Sequence, residues 1–267
     1  MKSSKFKTAF TGFAGIAIPT LIVAAILIFI FVLGDPNNFQ GNNTANHPKP
    51  GNALGIVYKG GIIVPIIMSL LMMVLTFAIE RYITLFRAKG KGSVAAFVAK
   101  VHTKLSTDDI DTAMSECDKQ RGSVANVIKA GLLKYKEMIT EKTLNRDQKV
   151  LAIKQEIEEA TGLELPMLEQ NLVIIATIAS IATLMGLLGT VIGMIRAFSA
   201  LATAGAPDAA ALSNGISEAL INTALGIGTS ALAIISYNYF TTKIDKITYS
   251  IEEAGVAIVQ NFAAKHN

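Results

Sequence analysis

Four long stretches of the chain consist mainly of apolar residues and contain no charged side chain. They are residues 8–34, 60–79, 170–195 and 219–242, which we call spans one to four. An α-helix rises about 1.5 Å per residue, so about 20 residues cross the hydrocarbon core of a bilayer. The pattern therefore predicts four transmembrane helices and an all-α, integral membrane helical bundle.

A signal peptide is the alternative interpretation of span one, because Lys2, Lys5 and Lys7 form a basic region ahead of it. The apolar run of span one is about twice as long as that of a signal peptide, and no A-x-A-like cleavage site follows it. We therefore expect a retained transmembrane helix.

Basic residues are distributed unevenly among the connections. Two lysines lie in residues 35–59, 14 basic residues lie in 87–165, and none lies in 199–212. Three lysines precede span one, and two follow span four closely. Because cytoplasmic connections are enriched in lysine and arginine, we expect both termini and the long middle segment to be cytoplasmic.

These assignments divide the chain into segments. They are an N-terminal transmembrane helix (1–34), a periplasmic loop (35–59), a second transmembrane helix (60–86), a cytoplasmic helical segment (87–168), the third and fourth transmembrane helices (169–240) and a cytoplasmic tail (241–267). The loop is rich in Asn, Gly and Pro and is predicted to be irregular. The cytoplasmic segment has helical apolar spacing, a capping candidate at Thr107 and a break at Arg121–Gly122, and its last helix is predicted over 147–160.

Composition supports a membrane protein. Apolar residues make up 51% of the chain, charged residues 16%, and the mean hydropathy is +0.47, which is unusual for a water-soluble domain. The net charge of +4 would also suit nucleic-acid binding, but the positive-inside rule accounts for the basic connections. Cys117 is the single cysteine, which excludes an internal disulfide.

Small or hydroxyl-bearing residues recur along one side of spans three and four. The two stripes are Ala176, Ala179, Thr183, Gly186, Thr190, Gly193 and Ala197 in span three, and Ala219, Thr223, Gly226, Ser230, Ala233 and Tyr237 in span four. Small side chains let helix backbones approach closely, and a sustained seven-residue repeat predicts left-handed, near-parallel packing. Such stripes also occur where helices are only packed together.

A few polar residues interrupt the apolar pattern of span four. Glu218, at its boundary, is either a solvated interfacial carboxylate or a functional group in a water-accessible cavity. Asn222, one turn later, is expected to bridge helices. Thr223, like Thr190 in span three, lies well inside its span, where its hydroxyl could equally bond to a carbonyl one turn back in its own helix.

Glu80 and Arg81 follow span two directly. Their position next to the predicted inner face indicates an interfacial ion pair whose side chains extend to water.

Three runs of residues resemble a known family. They are residues 186–194 (GLLGTVIGM), residues 216–226 (ISEALINTALG) and Tyr237–Asn238. In combination, order and separation they resemble the MotA/TolQ/ExbB proton-channel family, ExbB and TolQ in particular. The resemblance covers about residues 60–250.

The resemblance implies an assembly. In that family a ring of five subunits surrounds the transmembrane helices of an ExbD/TolR-type partner, and proton flow drives work at a distance. It therefore implies a homopentamer in the bacterial inner membrane, an ExbD/TolR-like single-span partner with a transmembrane Asp, and a TonB-like protein. Energising TonB-dependent outer-membrane transport is the expected role; TolQ-type envelope maintenance and a MotA-like motility stator are the alternatives.

The resemblance also implies roles for single residues. Thr190 and Thr223 correspond to threonines that line the interior of the ring, and Glu218 corresponds to the glutamate near its outer side. The other expected members of the pore stripe are Thr183, Gly186, Gly193, Gly226 and Ser230.

This chain departs from the family pattern in three places. The family often has proline where Thr183 and Leu232 stand here, so a helix kink at either position is not expected. Span one is an addition to the three-helix plan of ExbB, although it leaves the orientation of the other three unchanged.

Spans three and four contain no carboxylate between Gln170 and Ile195 or between Ala219 and Lys243. Hydroxyl groups can hold water, but they do not store a proton near neutral pH. A deep protonatable group must therefore come from another chain, and the resemblance identifies it as the partner's Asp. Our hypothesis is that this Asp is protonated and released beside Thr190 and Thr223, and that repeated cycles rotate partner and ring relative to each other.

Two hypotheses from other functional classes remain, a structural scaffold and an enzyme. A structural scaffold would use the stripes only to pack helices. An enzyme is disfavoured because His47, His102 and His266 are scattered over loops and tail, and no metal-ligand spacing, nucleophile elbow or phosphate loop is present. We expect no cofactor and no metal site.

Overall fold

The computed structural model describes residues 2–202 and 209–266, and side chains for 12–201 and 209–266. The middle of the connection between spans three and four lies outside the described residues. So do the side chains of Lys2, Lys5 and Lys7, on which part of the predicted orientation rests.

The described residues are mostly helical. The helices are α1 (Lys2–Leu27), which continues into a π-helical turn (Ile28–Leu33), α2 (Ala53–Tyr58), α3 (Ile63–Lys89), α4 (Val94–Ser106), α5 (Ile110–Gln120), α6 (Gly122–Thr140), α7 (Arg146–Glu169), α8 (Leu172–Ala202) and α9 (Ala209–Lys265). The all-α class predicted from the sequence is confirmed.

Four helices of the described chain are long and apolar enough to cross a membrane: α1, α3, α8 and α9. They coincide with spans one to four, which confirms the prediction of a multi-pass membrane protein. All four continue beyond the predicted spans. Helix α3 ends at Lys89, and α9 includes the predicted tail as an unbroken extension of span four.

The loop 35–59 is more ordered than its composition suggests. It contains 3₁₀ turns at Pro36–Asn38 and Gln40–Asn42 and the short helix α2. Asn38 Nδ2 donates to the carbonyl oxygens of Val32 and Leu33 at 2.8 and 3.1 Å, and the rings of Phe29 and Tyr58 stack at 4.8 Å. These contacts attach the loop to the end of span one, which is information that an Asn- and Gly-rich composition does not carry.

The chain divides into two compact units. The first consists of Met1–Ile79 and Asn171–Tyr237 and contains the apolar parts of the four spans. The second consists of Glu80–Gln170 and Asn238–Asn267. Helices α4 to α7 form most of the second unit, and its core is built from aliphatic and aromatic side chains such as Val101, Leu132, Ile153, Ile258 and Phe262.

The predicted break in the second unit is confirmed. Arg121 and Gly122 both have positive φ, at 57° and 84°, and separate α5 from α6. Backbone N–H of Lys91 donates to the carbonyl of Gln120 at 2.7 Å, which ties the end of α3 to this turn. The capping prediction at Thr107 is wrong, because Asp109 accepts the hydrogen bond from the backbone of Thr112 that caps α5.

The last helix before span three is longer than predicted. The interval 147–160 belongs to α7, which runs from Arg146 to Glu169 with Pro166 inside it. Asn145 and Gln148 form a capping box at its start. The helix ends where Gln170 leaves helical geometry and Asn171 adopts a positive φ of 65°.

Candidate functional site

Helices α8 and α9 contact each other through their backbones. A Cβ atom added to Gly226 would lie 2.7 Å from both the carbonyl oxygen of Ala182 and Cα of Gly186. A Cβ on Gly193 would lie 2.7 Å from the carbonyl oxygen of Gly215 and 2.8 Å from the backbone nitrogen of Ala219. Only glycine permits this approach, so the two predicted small-residue faces meet each other within one chain.

The contact extends along most of the hairpin. At one end, a Cβ on Gly215 would lie 2.8 Å from Cβ of Ala197; at the other, Oγ of Ser230 donates to the carbonyl of Ala179 at 2.6 Å. Ala179 and Ala197 are separated by about 27 Å of helix, which approaches the thickness of a bilayer core. Gly186, Gly193, Gly226 and Ser230 therefore pack α8 on α9, and their place at a pore stays a prediction.

The three stripe threonines all bond to their own helices. Thr183 donates to Ala179 O at 3.4 Å, Thr190 to Leu187 O at 2.5 Å and Thr223 to Ala219 O at 3.1 Å. Thr223 also lies 3.5 Å from the carbonyl oxygen of Gly186 across the hairpin. The own-helix interpretation of these hydroxyls thus holds in the single chain.

Thr190 differs from Thr223 in what surrounds it. Thr223 lies at the α8–α9 contact, whereas Thr190 is half-buried on a broad surface of α8. This surface is lined by Thr190, Val191, Met194, Ile195, Phe198 and Ser199. An apolar surface of this kind is available to lipid or to another membrane helix.

Glu218 is buried and ion-paired. Its side chain is only 8% exposed, and Arg196 Nη1 donates to its Oε1 at 2.6 Å. Arg196 is itself 55% exposed. In the single chain Glu218 is therefore not the freely solvated interfacial carboxylate that was one of its two interpretations.

The Gly60–Gly61 turn, which precedes α3, covers this pair. Gly61 has a φ of 74°, and a Cβ there would collide with the carboxylate of Glu218 and lie 3.4 Å from Nη1 of Arg196. Asn222 Nδ2 donates to the carbonyl of Gly60 at 2.7 Å, which confirms that Asn222 bridges helical segments. Oδ1 of Asn222 is buried and has no hydrogen-bond partner among the residues that the structure describes.

The loop 35–59 forms a cavity with the start of α9, beside Glu218. Its volume is about 270 Å³, and it is lined by His47, Pro48, Lys49, Pro50, Gly51, Ile56, Lys59, Ser213, Asn214 and Ser217. Lys59 Nζ donates to the carbonyls of Thr44 and Ala45 at 3.0 and 3.2 Å. Partial burial lowers the pKa of Lys59 from its ordinary value.

The predicted ion pair between Glu80 and Arg81 is confirmed, but the expectation that these side chains extend to water is wrong. Arg81 is completely buried, and its guanidinium donates to both carboxylate oxygens of Glu80 at 2.5 and 2.6 Å. It also donates to the carbonyls of Met167 and Leu168, both at 3.2 Å. The last turn of α7 leaves these carbonyls without helical partners, so Arg81 caps α7 and does not extend to water.

The site residues that sequence reasoning missed are Arg196, Gly60 and Gly61. From the sequence, Arg196 was recognised only as the charge that ends span three, and the two glycines only as the start of span two. The detectable signal was that Arg196 is the one charged residue of 172–202 and Glu218 the one charged residue of 209–242. Two isolated opposite charges in a helical hairpin favour a pair. Among the described residues, no cluster of three or more potential metal ligands occurs.

Comparison with known proteins identifies the family. The sequence profile of the MotA/TolQ/ExbB proton channel family matches residues 120–253. The chain belongs to this family. The match contains the whole α8–α9 hairpin contact, with Thr190, Arg196, Glu218 and Thr223, and does not include span one or the Gly60–Gly61 turn.

Individual relatives agree with the family. The Tol-Pal system protein TolQ of Pseudomonas aeruginosa is 29% identical over 141 residues, which are 50% of this chain and 61% of that protein. TolQ of Haemophilus influenzae is 29% identical over 145 residues, 53% of this chain and 64% of the relative. The biopolymer transport protein ExbB of Salmonella typhimurium is 30% identical over 170 residues, which are 62% of this chain and 60% of that protein. The chain thus spans about three fifths of the length of these relatives.

Proposed function

We propose that this chain is an ExbB/TolQ-type subunit of a proton-driven motor in the bacterial inner membrane. The observation that carries the proposal is the family match over residues 120–253, which spans the hairpin of α8 and α9. Both termini and the second unit are cytoplasmic in this proposal, as the distribution of basic residues indicates. Energising TonB-dependent outer-membrane transport is the proposed task.

The hairpin requires a partner for proton transfer. Within residues 172–202 and 209–242, Glu218 is the single carboxylate, and it is engaged by Arg196 near one end of the contact. Thr190 and Thr223 bring hydroxyl groups, which order water but do not carry a proton at neutral pH. We assign the missing acid to an ExbD/TolR-like single-span protein, held inside a pentameric ring of this chain.

In the proposed cycle, the partner's Asp is protonated at the outer side and releases the proton towards the cytoplasm. Thr190 and Thr223 supply hydroxyls beside it, and relative rotation of partner and ring converts the proton flow into mechanical work. The back-bonded geometry of both threonines favours this role, because each hydroxyl oxygen keeps an acceptor lone pair for water or for a protonated acid.

The test uses the full chain co-expressed with a single-span protein that has one intramembrane Asp. Proton uptake by proteoliposomes is measured with a pH-sensitive dye for the wild type, Thr190→Val/Thr223→Val and the control Thr177→Val. Thr177 also donates to its own helix, to Val173 O at 2.7 Å, but it is exposed and outside the two stripes. We expect the double variant to lose uptake while its assembly is preserved, and the control to keep it.

Two results would overturn the proposal. One is full uptake by the double threonine variant, and the other is a wild-type assembly that binds no partner and conducts no protons. The second result would favour the structural scaffold. Complementation of strains lacking ExbB or TolQ then separates TonB-dependent transport from envelope maintenance, because each strain reports one process.

A further inference from the structure

Within residues 172–202 and 209–242 there is one positive and one negative side chain, Arg196 and Glu218, and these two charges meet. Arg196 is six residues before the end of α8 at Ala202, and Glu218 is nine residues after the start of α9 at Ala209. At about 1.5 Å per residue, both lie roughly 9 to 14 Å inside the ends of their helices. A pair at this depth is costly unless each charge compensates the other.

The geometry around the pair encloses the carboxylate and leaves more than half of the Arg196 side chain exposed. Glu218 is enclosed by α8, by its own helix and by the backbone of Gly61, where any side chain would collide with it. Arg196 contributes a single hydrogen bond to Glu218, and more than half of its side chain is exposed. Glu218 is therefore enclosed on its sides, whereas Arg196 has open space beside it.

Lys59, a cation near this end, is engaged elsewhere. Lys59 directs its ammonium group to the loop carbonyls of Thr44 and Ala45. His47 and Lys49 line the cavity that Ser217 borders. Among the described charged groups, Arg196 is the cation within salt-bridge distance of Glu218.

We propose that Arg196 is a positioning residue for Glu218: it holds the carboxylate against α8 through the ion pair, and releases it for proton exchange when the guanidinium swings outwards. This proposal rests on the proposed function, because it gives Glu218 a gated place on the proton path. Arg196 acts through Glu218 and does not itself carry the proton.

The first experiment uses the purified full chain without any partner. Dicyclohexylcarbodiimide adds across the O–H of a neutral carboxylic acid and leaves a stable N-acylurea, so peptide mass spectrometry reports how often Glu218 is protonated. We expect Arg196→Gln and Arg196→Met to increase the labelling rate about tenfold or more, because the carboxylate is then released from its ion pair. Arg196→Lys should stay near the wild-type rate.

Glu80 is a matched internal control in the same preparations. It is 10% exposed and paired with Arg81, much as Glu218 is paired with Arg196, and its labelling should be the same in all variants. Equal labelling of Glu218 in the wild type, Arg196→Gln and Arg196→Met would overturn the proposal. Two different neutral variants are used so that, if one folds poorly, the labelling of Glu218 in the other still tests the proposal.

The second experiment measures proton uptake by the reconstituted complex in a double-variant cycle of Arg196→Gln and Glu218→Gln. If Arg196 acts through Glu218, Arg196→Gln changes uptake about tenfold in the presence of Glu218 and has no further effect when Glu218 is Gln. Additive effects would overturn the proposal. A wild type that conducts no protons would defeat the proposed function alone, since the labelling result stands without a partner.

Discussion

The side-chain amide of Asn222 donates a 2.7 Å hydrogen bond to the carbonyl oxygen of Gly60, 162 residues away in the chain. This bond joins α9 to the turn that precedes α3. The same turn places Gly61 against Glu218. The hydrogen bond from Asn222 to Gly60 therefore holds in place the turn that covers Glu218.

Substitution of Asn222 tests this relationship. Asn222→Ala leaves the buried carbonyl of Gly60 without its donor, which should lower the free energy of unfolding by about 1–3 kcal/mol. Asn222→Asp should be at least as damaging, because an ionised carboxylate cannot donate to a carbonyl. Thermal unfolding of the detergent-solubilised chain measures both. The control is Asn238→Ala, an exposed position of the same helix, and equal midpoints for all three variants would contradict the role of Asn222.

The closeness of α8 and α9 is tested at Gly226. Gly226→Ala places Cβ 2.7 Å from the backbone of Ala182 and Gly186, so the helices must separate and the contact weakens. Gly228→Ala, two residues later, meets no atom within 4 Å and should be neutral or slightly stabilising, because alanine favours helix more than glycine by about 1 kcal/mol. The thermal unfolding midpoint and the oligomer profile of the two variants measure the effect. A Gly226→Ala variant as stable as Gly228→Ala would refute the backbone contact.

Arg81 is expected to stabilise the second unit strongly. Arg81→Met removes the cation that pairs with the largely buried Glu80 carboxylate, and it also removes the donors to Met167 and Leu168. Loss of one member of a buried ion pair costs about 3–5 kcal/mol. Proteolysis of the α7 end, followed with time, should be faster in Arg81→Met than in Arg87→Ala, which alters an exposed arginine on the same helix. Identical cleavage rates would show that Arg81 does not cap α7.

The pH dependence of stability is tested at Cys117. Burial, with a smaller effect of Asp118, raises the pKa of the Cys117 thiol from 9.0 to about 12. Between these two values the unfolded chain loses the thiol proton and the folded chain keeps it, so the stability present below pH 9 falls as the pH rises towards 12. Cys117→Ala should flatten this part of the stability curve. Chemical denaturation at several pH values measures the slope, and parallel curves for both proteins would contradict the burial of the thiol.

A substantial part of the fold follows from local sequence. Absence of charge over about 20 residues or more predicts α1, α3, α8 and α9, because each span depends only on its own side chains and the thickness of the bilayer. The small-residue stripes likewise predict which faces of α8 and α9 touch, since helical periodicity is a local property. The break at Arg121–Gly122 was also detectable, as glycine readily adopts positive φ.

The errors occurred where a residue's environment comes from distant parts of the chain. Arg81 was expected to reach water because it adjoins a membrane span, yet the carbonyls it binds are 86 and 87 residues later. The loop 35–59 was expected to be irregular because it is rich in Asn, Gly and Pro, whereas its anchoring to Phe29, Val32 and Leu33 depends on how α1 ends. Composition contains no information about either contact.

The sequence by itself determined the four membrane-length helices, the family motifs and the small-residue faces of α8 and α9. Only the tertiary structure decided that Arg196 meets Glu218, that Gly60 and Gly61 cover the pair, and that Arg81 caps α7. The physical reason is the range of the interactions. Hydrophobic length and helical period are summed over neighbouring residues, whereas a hydrogen bond or ion pair requires two atoms within about 3 Å, and the register between helices that brings them there is set by packing of the whole chain.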